Sequence, residues 1–158
     1  MKLSLFSAKA EYACVAMMEL AARFGDSQPV RLKTIADEHR IPRRFLVQIL
    51  LQLNGAGLVE SRRGAAGGYL LARSPDAITV ADIIRVIDSA RGQAKVQKRP
   101  RKKVVRPINT GLNESGMYRA LQGVWTEILD AQKRILEETT LSKLVEDSRS
   151  GLDLMYEI

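Results

Sequence analysis

Arg43, Arg44 and Phe45, with Gln48 one helical turn further on, form a set of side chains suited to reading a nucleic acid. A guanidinium pairs bidentately with guanine and a glutamine amide with adenine, both from the major groove. A second basic pair, Arg62 and Arg63, lies in Leu58-Val-Glu-Ser-Arg-Arg-Gly-Ala-Ala-Gly-Gly-Tyr-Leu-Leu-Ala72, between two apolar, strand-like runs. Gly64, Gly67 and Gly68 supply the backbone freedom for a sharp hairpin tip, and arginines on such a tip reach into a narrow anionic groove. Arg31 and Lys33, ahead of this set, are placed for phosphates.

These residues need a scaffold, and the hydrophobic pattern supplies one. Ser7 is a candidate cap for a first helix to about Phe24, with Ala13, Ala16, Met17, Leu20, Ala21 and Phe24 on one stripe. A short helix follows from Leu32 to His39, turning inward Leu32, Ile35 and Ala36. Pro42 disfavours helix just before itself and favours a new start, so the next helix runs to about Asn54 and buries Leu46, Ile49, Leu50 and Leu53. Gly55 and Gly57 end it. Two helices joined this tightly make a helix-turn-helix unit, and the hairpin behind it reads as a wing. Thr79 and Asp82 make a capping-box pair for a fourth helix lined by Val80, Ile83, Ile84 and Ile87.

Helical periodicity stops after Ser89 and resumes at Met117. Met117, Leu121, Val124, Trp125, Ile128, Gln132, Ile135 and Leu136 then form a stripe about five turns long, suited to packing against its twin. Thr140 caps a last, short helix holding Leu141, Leu144 and Val145. The expected organisation is a winged helix-turn-helix unit over 1–88, a basic linker over 89–116 and a dimerisation segment over 117–158. The fold class is mainly α, with one small β-hairpin.

Charge follows that organisation. The net charge is +7, but residues 89–107 hold eight cations and no acid. The flanks carry twelve cations against nine acids before this stretch, and five against nine after it. The run 95–106 is either a grip on phosphates or a solvated linker; phosphate contacts position a protein without reading bases. No apolar run approaches the ~20 residues that span a bilayer, which points to a cytoplasmic protein without a membrane partner.

Residues with catalytic types do not converge. The single histidine, His39, has no cysteine near it in sequence, and neither a phosphate-cradling glycine loop nor a nucleophile elbow is present. The chain is expected not to be an enzyme. The lone cysteine, Cys14, lies beside the first helix's apolar stripe and reads as an inert thiol rather than a sensor.

The chain resembles the bacterial winged-helix regulators of the IscR, NsrR and CymR type. The resemblance rests on Tyr12-Ala13, Leu20-Ala21, Leu32-Lys-Thr-Ile-Ala36, Ile41-Pro-Arg-Arg-Phe-Leu-Val-Gln-Ile-Leu50, Gly57-Leu-Val-Glu-Ser-Arg-Arg-Gly64 and Gly67-Gly-Tyr-Leu-Leu-Ala72. Thr79-Val-Ala-Asp82, Val124-Trp125 and Thr139-Thr-Leu141 complete it, and only about 90–116 falls outside. It implies a homodimer on a palindromic duplex operator, acting as a transcriptional regulator and expected to repress. Arg43, Arg44 and Gln48 would enter the major groove and Arg62 or Arg63 the minor groove, and Phe45, Gly67, Gly68 and Tyr69 would belong to the same DNA-binding set. Met117, Leu121, Val124, Trp125, Ile128 and Ile135 would join the subunits.

Many relatives hold an iron–sulfur cluster on three cysteines ahead of the long helix. Residues 89–125 here contain no cysteine, so no metal or cofactor is expected. Control by a protein or a small-molecule effector stays open. The alternative is an interaction module of the same fold, tied to a partner protein and binding DNA only non-specifically.

Overall fold

The computed structural model describes residues 6–26, 28–93 and 115–156. The elements in order are α1 (Ala8–Ala22), α2 (Leu32–Glu38), α3 (Arg43–Gly55), β1 (Val59–Arg62), β2 (Gly68–Leu71), α4 (Val80–Gln93), α5 (Gly116–Glu138) and α6 (Leu141–Tyr156). A single 3₁₀ turn, Pro75–Ala77, links the hairpin to α4. This is a mainly helical protein with one hairpin, as its residue pattern predicts.

The core forms where α1 meets α3, α4 and α6. Small residues on α1 (Ala10, Ala13, Ala16) let the other helices come close, and Met17 fills the space between them. Ile35 from α2, Leu46, Ile49, Leu50 and Leu53 from α3, and Ile83 and Ile87 from α4 close the same cluster. Phe24, expected on the buried stripe, instead lies past the end of α1 and is 50% exposed. The helix stops at Ala22, so Phe24 falls beyond its last turn, and Gly25 at φ +97° turns the chain just after it.

Three helix starts use side-chain caps at residues marked by the sequence. Ser7 Oγ accepts from the Ala10 backbone N–H at 3.2 Å. Thr79 and Asp82 bond reciprocally: Asp82 accepts from the Thr79 N–H at 3.0 Å, and the Asp82 N–H donates to the Thr79 hydroxyl at 3.2 Å. Thr140 accepts from the Lys143 N–H at 3.2 Å. Satisfying donors that have no partner inside the helix stabilises each start by about 1 kcal/mol.

β1 and β2 pair antiparallel, Val59 opposite Leu71 and Arg62 opposite Gly68. Val30 adds a third, one-residue rung, exchanging two 2.9 Å backbone hydrogen bonds with Tyr69. A matching link ties the C-terminal helices to the rest. Thr79 bridges Thr140, with the Val80 N–H donating to Thr139 O and the Leu141 N–H to Ile78 O, both at 2.9 Å.

Two boundaries differ from the sequence expectation. α4 runs on to Gln93, past the predicted break at Ser89, and α6 has 16 residues rather than being short. The α4 overrun is a polar end, where apolar periodicity fades before the backbone hydrogen bonds do, whereas α6 continues past Gly151 through the apolar Leu152, Leu154, Met155 and Tyr156. The basic run 95–106 lies outside the described residues. Among the described residues, no helix is long and apolar enough to cross a membrane.

Candidate nucleic-acid interface

α2 and α3 meet through a turn at His39–Pro42 whose geometry is set by two backbone choices. Arg40 takes φ 53°, a left-handed conformation rare outside glycine. The Ile41 N–H then returns to Ala36 O at 2.9 Å, burying Ile41 and aiming α3 across α2. α3 starts at Arg43, directly after Pro42.

The four apolar residues expected to face inward on α3 are all fully buried. Their burial fixes the opposite side of the helix in solvent, where Arg43, Arg44, Phe45 and Gln48 all lie exposed. The Arg44 guanidinium rests over the Phe45 ring, 4.9 Å from its centroid. Arg43 reaches back to Asp37 at 3.3 Å, with both side chains more than half exposed. An ion pair this wet contributes little and is readily exchanged for another anion.

The wing has a different set of constraints. Gly64 sits at φ 111°, the one wing glycine used for left-handed backbone. Gly67 and Gly68 serve a separate purpose, close approach: a Cβ on Gly67 would lie 2.5 Å from Arg62 O, and one on Gly68 would collide with Val30 O. Arg62 and Arg63 stay exposed at the hairpin tip, Arg62 beside Glu60 at 3.3 Å. Tyr69 packs partly against the core, and its backbone N–H and C=O are both spent on Val30.

Lys33 is exposed, as a phosphate-facing residue would be. Arg31 is not in the same position. Its Nη2 donates to Ala65 O of the wing at 3.1 Å, so it braces the hairpin from the start of α2. A second brace joins Asn54, at the end of α3, to Ser61 on β1 at 3.0 Å. Neither brace is visible in sequence, because each joins residues that no periodicity relates.

Sequence reasoning also passed over Val47 and Leu51, which share the solvent stripe of α3 and are 40% and 60% exposed. The signal was present: once 46, 49, 50 and 53 face inward, 47 and 51 must face out.

On the far side of α2, His39 is held in a network. Its Nε2 lies 3.0 Å from Glu19, while Arg23 bonds Glu19 at 2.6 Å and Glu38 at 3.2 Å. Burial alone would raise the Glu19 carboxyl, but hydrogen bonds from His39 and Arg23 outweigh it and hold it below the usual range. The three acid and imidazole groups offer donor atoms within 4.8 Å of one another, and Arg23 supplies the compensating charge. The network stitches α1 to the end of α2.

A helix-turn-helix with an exposed, arginine-led second helix and a glycine-shaped, arginine-tipped hairpin defines a winged-helix DNA-binding transcriptional regulator. The comparisons agree and narrow the class. The profile of Rrf2, described as iron-dependent transcriptional regulators, matches residues 6–147, and the chain belongs to this family.

CymR of Bacillus subtilis, an HTH-type transcriptional regulator, is 38% identical over 138 residues, 87% of each chain. A putative HTH-type regulator of Mycobacterium tuberculosis is 40% identical over 137 residues, 86% of this chain and 78% of the relative. Among solved structures, CymR, the global cysteine regulator of B. subtilis, superposes with a TM-score of 0.68 at 35% identity, covering 91% of this chain and 98% of that one. IscR of T. potens also gives 0.68, at 33% identity and 92% and 89% coverage.

The family description raises the question of iron. Cys14 is the sole cysteine, half-buried on α1, and burial first and Glu11 second push its thiol up to about 11. Iron–sulfur clusters are held by several thiolates. One protonated, inward-lying thiol per chain does not fit such a cluster.

Proposed function

We propose that the protein works as a homodimer on a palindromic operator, inserting two α3 helices into major grooves and two wings into minor grooves, and that it represses transcription. The observation that carries the reading is selective exposure. On α3 every buried residue is apolar, while Arg43, Arg44 and Gln48 stay in solvent beside a wing whose Arg62 and Arg63 are also free of the core. Arg44 and Gln48 are the candidates for base edges, Arg43 and Lys33 for phosphates, and Phe45 carries Arg44 on its ring. Gly67, Gly68 and Tyr69 act by shaping the wing, and Arg31 by steadying it.

The dimer contact proposed is α5. Met117, Leu121, Val124, Trp125, Ile128, Leu129 and Ile135 are each about half exposed or more. An apolar stripe of that length on one helix calls for a partner, and a second copy supplies a self-complementary one. Two copies also present two recognition helices, which a palindrome requires.

Selection of duplexes from a random pool by the full-length protein, followed by footprinting, tests the whole reading. The expected result is two protected half-sites about 34–36 Å apart or a multiple of that spacing. Uniform, sequence-independent protection at moderate salt would overturn it in favour of an interaction module.

A further inference from the structure

We propose that Val47, backed by Leu51, reads the C5-methyl group of thymine in the major groove. The inference deepens the reading of α3 as the recognition helix and rests on it.

The argument starts from the pattern of α3. Leu46, Ile49, Leu50 and Leu53 are fully buried, so residues 44, 47, 48 and 51 fall on the outer stripe at i, i+3, i+4 and i+7. That stripe is not uniformly polar. Between Arg44 and Gln48 it carries Val47, and one turn on it carries Leu51, the more exposed of the two. Two branched aliphatic side chains one turn apart on a solvent-facing stripe leave apolar area in water, and contact with an apolar surface recovers that loss.

The surroundings specify which surface. Val47 stands beside Arg43, Arg44 and Gln48 on one helix, and the wing adds Arg62 and Arg63. This positive frame fits a polyanion rather than an apolar protein face. Along the base edges of a B-form major groove, the thymine methyl is the one apolar group on offer. Arg44 and Gln48 supply donors for purines, and Val47 between them supplies what a donor cannot, discrimination of thymine from cytosine. Valine is well suited because its β-branch fixes χ1 on a helix, so little rotamer freedom is lost on contact.

Deoxyuridine lacks only the methyl and keeps Watson–Crick pairing. Each thymine of a duplex selected by the full-length protein is replaced singly by deoxyuridine, and affinity is measured for wild type, Val47→Ala and Val47→Ile. For wild type, one thymine in each half-site should weaken binding about fourfold on replacement, the effect of one buried methyl. Val47→Ala should bind the thymine and uridine duplexes alike, and Val47→Ile should keep the preference. Helix content by circular dichroism checks that the exposed substitutions leave the fold intact.

The proposal is overturned if no uridine position weakens wild-type binding by as much as twofold, or if Val47→Ala keeps the full preference. A duplex that is selected and footprinted yet indifferent to uridine removes only the role of Val47. Failure to select any duplex removes the recognition-helix reading with it.

Discussion

The Arg31 guanidinium donates to the Ala65 carbonyl at the tip of the wing, 3.1 Å away, spanning from the start of α2 to the far end of the hairpin. An arginine that would serve as a phosphate ligand by its position in sequence is therefore engaged in holding the wing. The two roles leave different traces. Arg31→Ala should weaken specific DNA binding while leaving the slope of log K against log salt unchanged, and it should speed amide exchange in the wing. Loss of a phosphate contact would instead flatten that slope by about 0.9. Binding isotherms at four salt concentrations, with hydrogen exchange on the free protein, separate the two.

The wing glycines should not be equivalent to mutation. Gly64 needs its positive φ but has open space around it, so Gly64→Ala should cost about 1–2 kcal/mol of backbone strain. Gly68→Ala drives a methyl into the Val30 carbonyl and must break the Val30–Tyr69 rung or bend the hairpin. It should cost about 2–3 kcal/mol, the range for a clash in a packed site. Urea unfolding of both variants ranks them; a Gly68→Ala cost below that of Gly64→Ala would contradict the close-approach account.

The fold was legible in the sequence wherever one residue's chemistry determined its own neighbourhood. Ser7, Thr79 with Asp82, and Thr140 cap helices because each finds its backbone partner three residues away. The buried face of α3 followed from spacing alone, and so did the exposure of its arginines. What could not be read was whatever joins distant residues. Arg31 with Ala65, and Glu19 with Arg23, Glu38 and His39, become neighbours only when α1, α2 and the hairpin are packed. Periodicity also stopped short of the end of α4, where polar residues extend a helix that apolar ones began, and of the length of α6, which runs on through Gly151.

The Thr79–Asp82 capping box predicts a pH dependence of stability with a definite sign. The Thr79 backbone N–H first, and its hydroxyl and Arg85 and Arg73 further on, hold the Asp82 carboxyl below its ordinary value against the opposing effect of burial. A folded value depressed below the unfolded one adds stability that is complete above the ordinary aspartate range. It is lost as pH falls through that range to the lowered folded value. Asp82→Asn should therefore cost about 1 kcal/mol at pH 7, the worth of a cap, and the gap to wild type should shrink below about pH 4. Denaturant melts at pH 7 and pH 3 measure it; a gap that widens in acid would show the opposite sign.

On α5, Trp125 is 55% exposed in the middle of an apolar stripe between Leu121 and Ile128. Central aromatic residues carry a disproportionate share of an interface's energy, about 2 kcal/mol or more on truncation. Trp125→Ala should weaken self-association more than tenfold, and DNA affinity should fall with it at protein concentrations where the variant is monomeric. Sedimentation equilibrium gives the first quantity, and gel shifts across protein concentration give the second. Unchanged self-association would move the subunit contact off this stripe.

Cys14 offers the last prediction, one that separates an inert thiol from a sensor. Burial, reinforced by Glu11, raises its pKa from an ordinary value of 9.0 to about 11. The thiolate is the reactive species, so a rise of that size leaves roughly a hundredfold less of it near neutral pH. Iodoacetamide should label Cys14 in the folded protein about 100-fold more slowly than a free thiol at pH 7.5, and at an ordinary rate in urea. Because the side chain packs on α1 against the core and is not among the exposed residues of α3 or the wing tip, Cys14→Ser should leave affinity for the selected duplex within about twofold. Rapid labelling of the native protein, or a large loss of binding in the serine variant, would make the thiol a working part of the regulator.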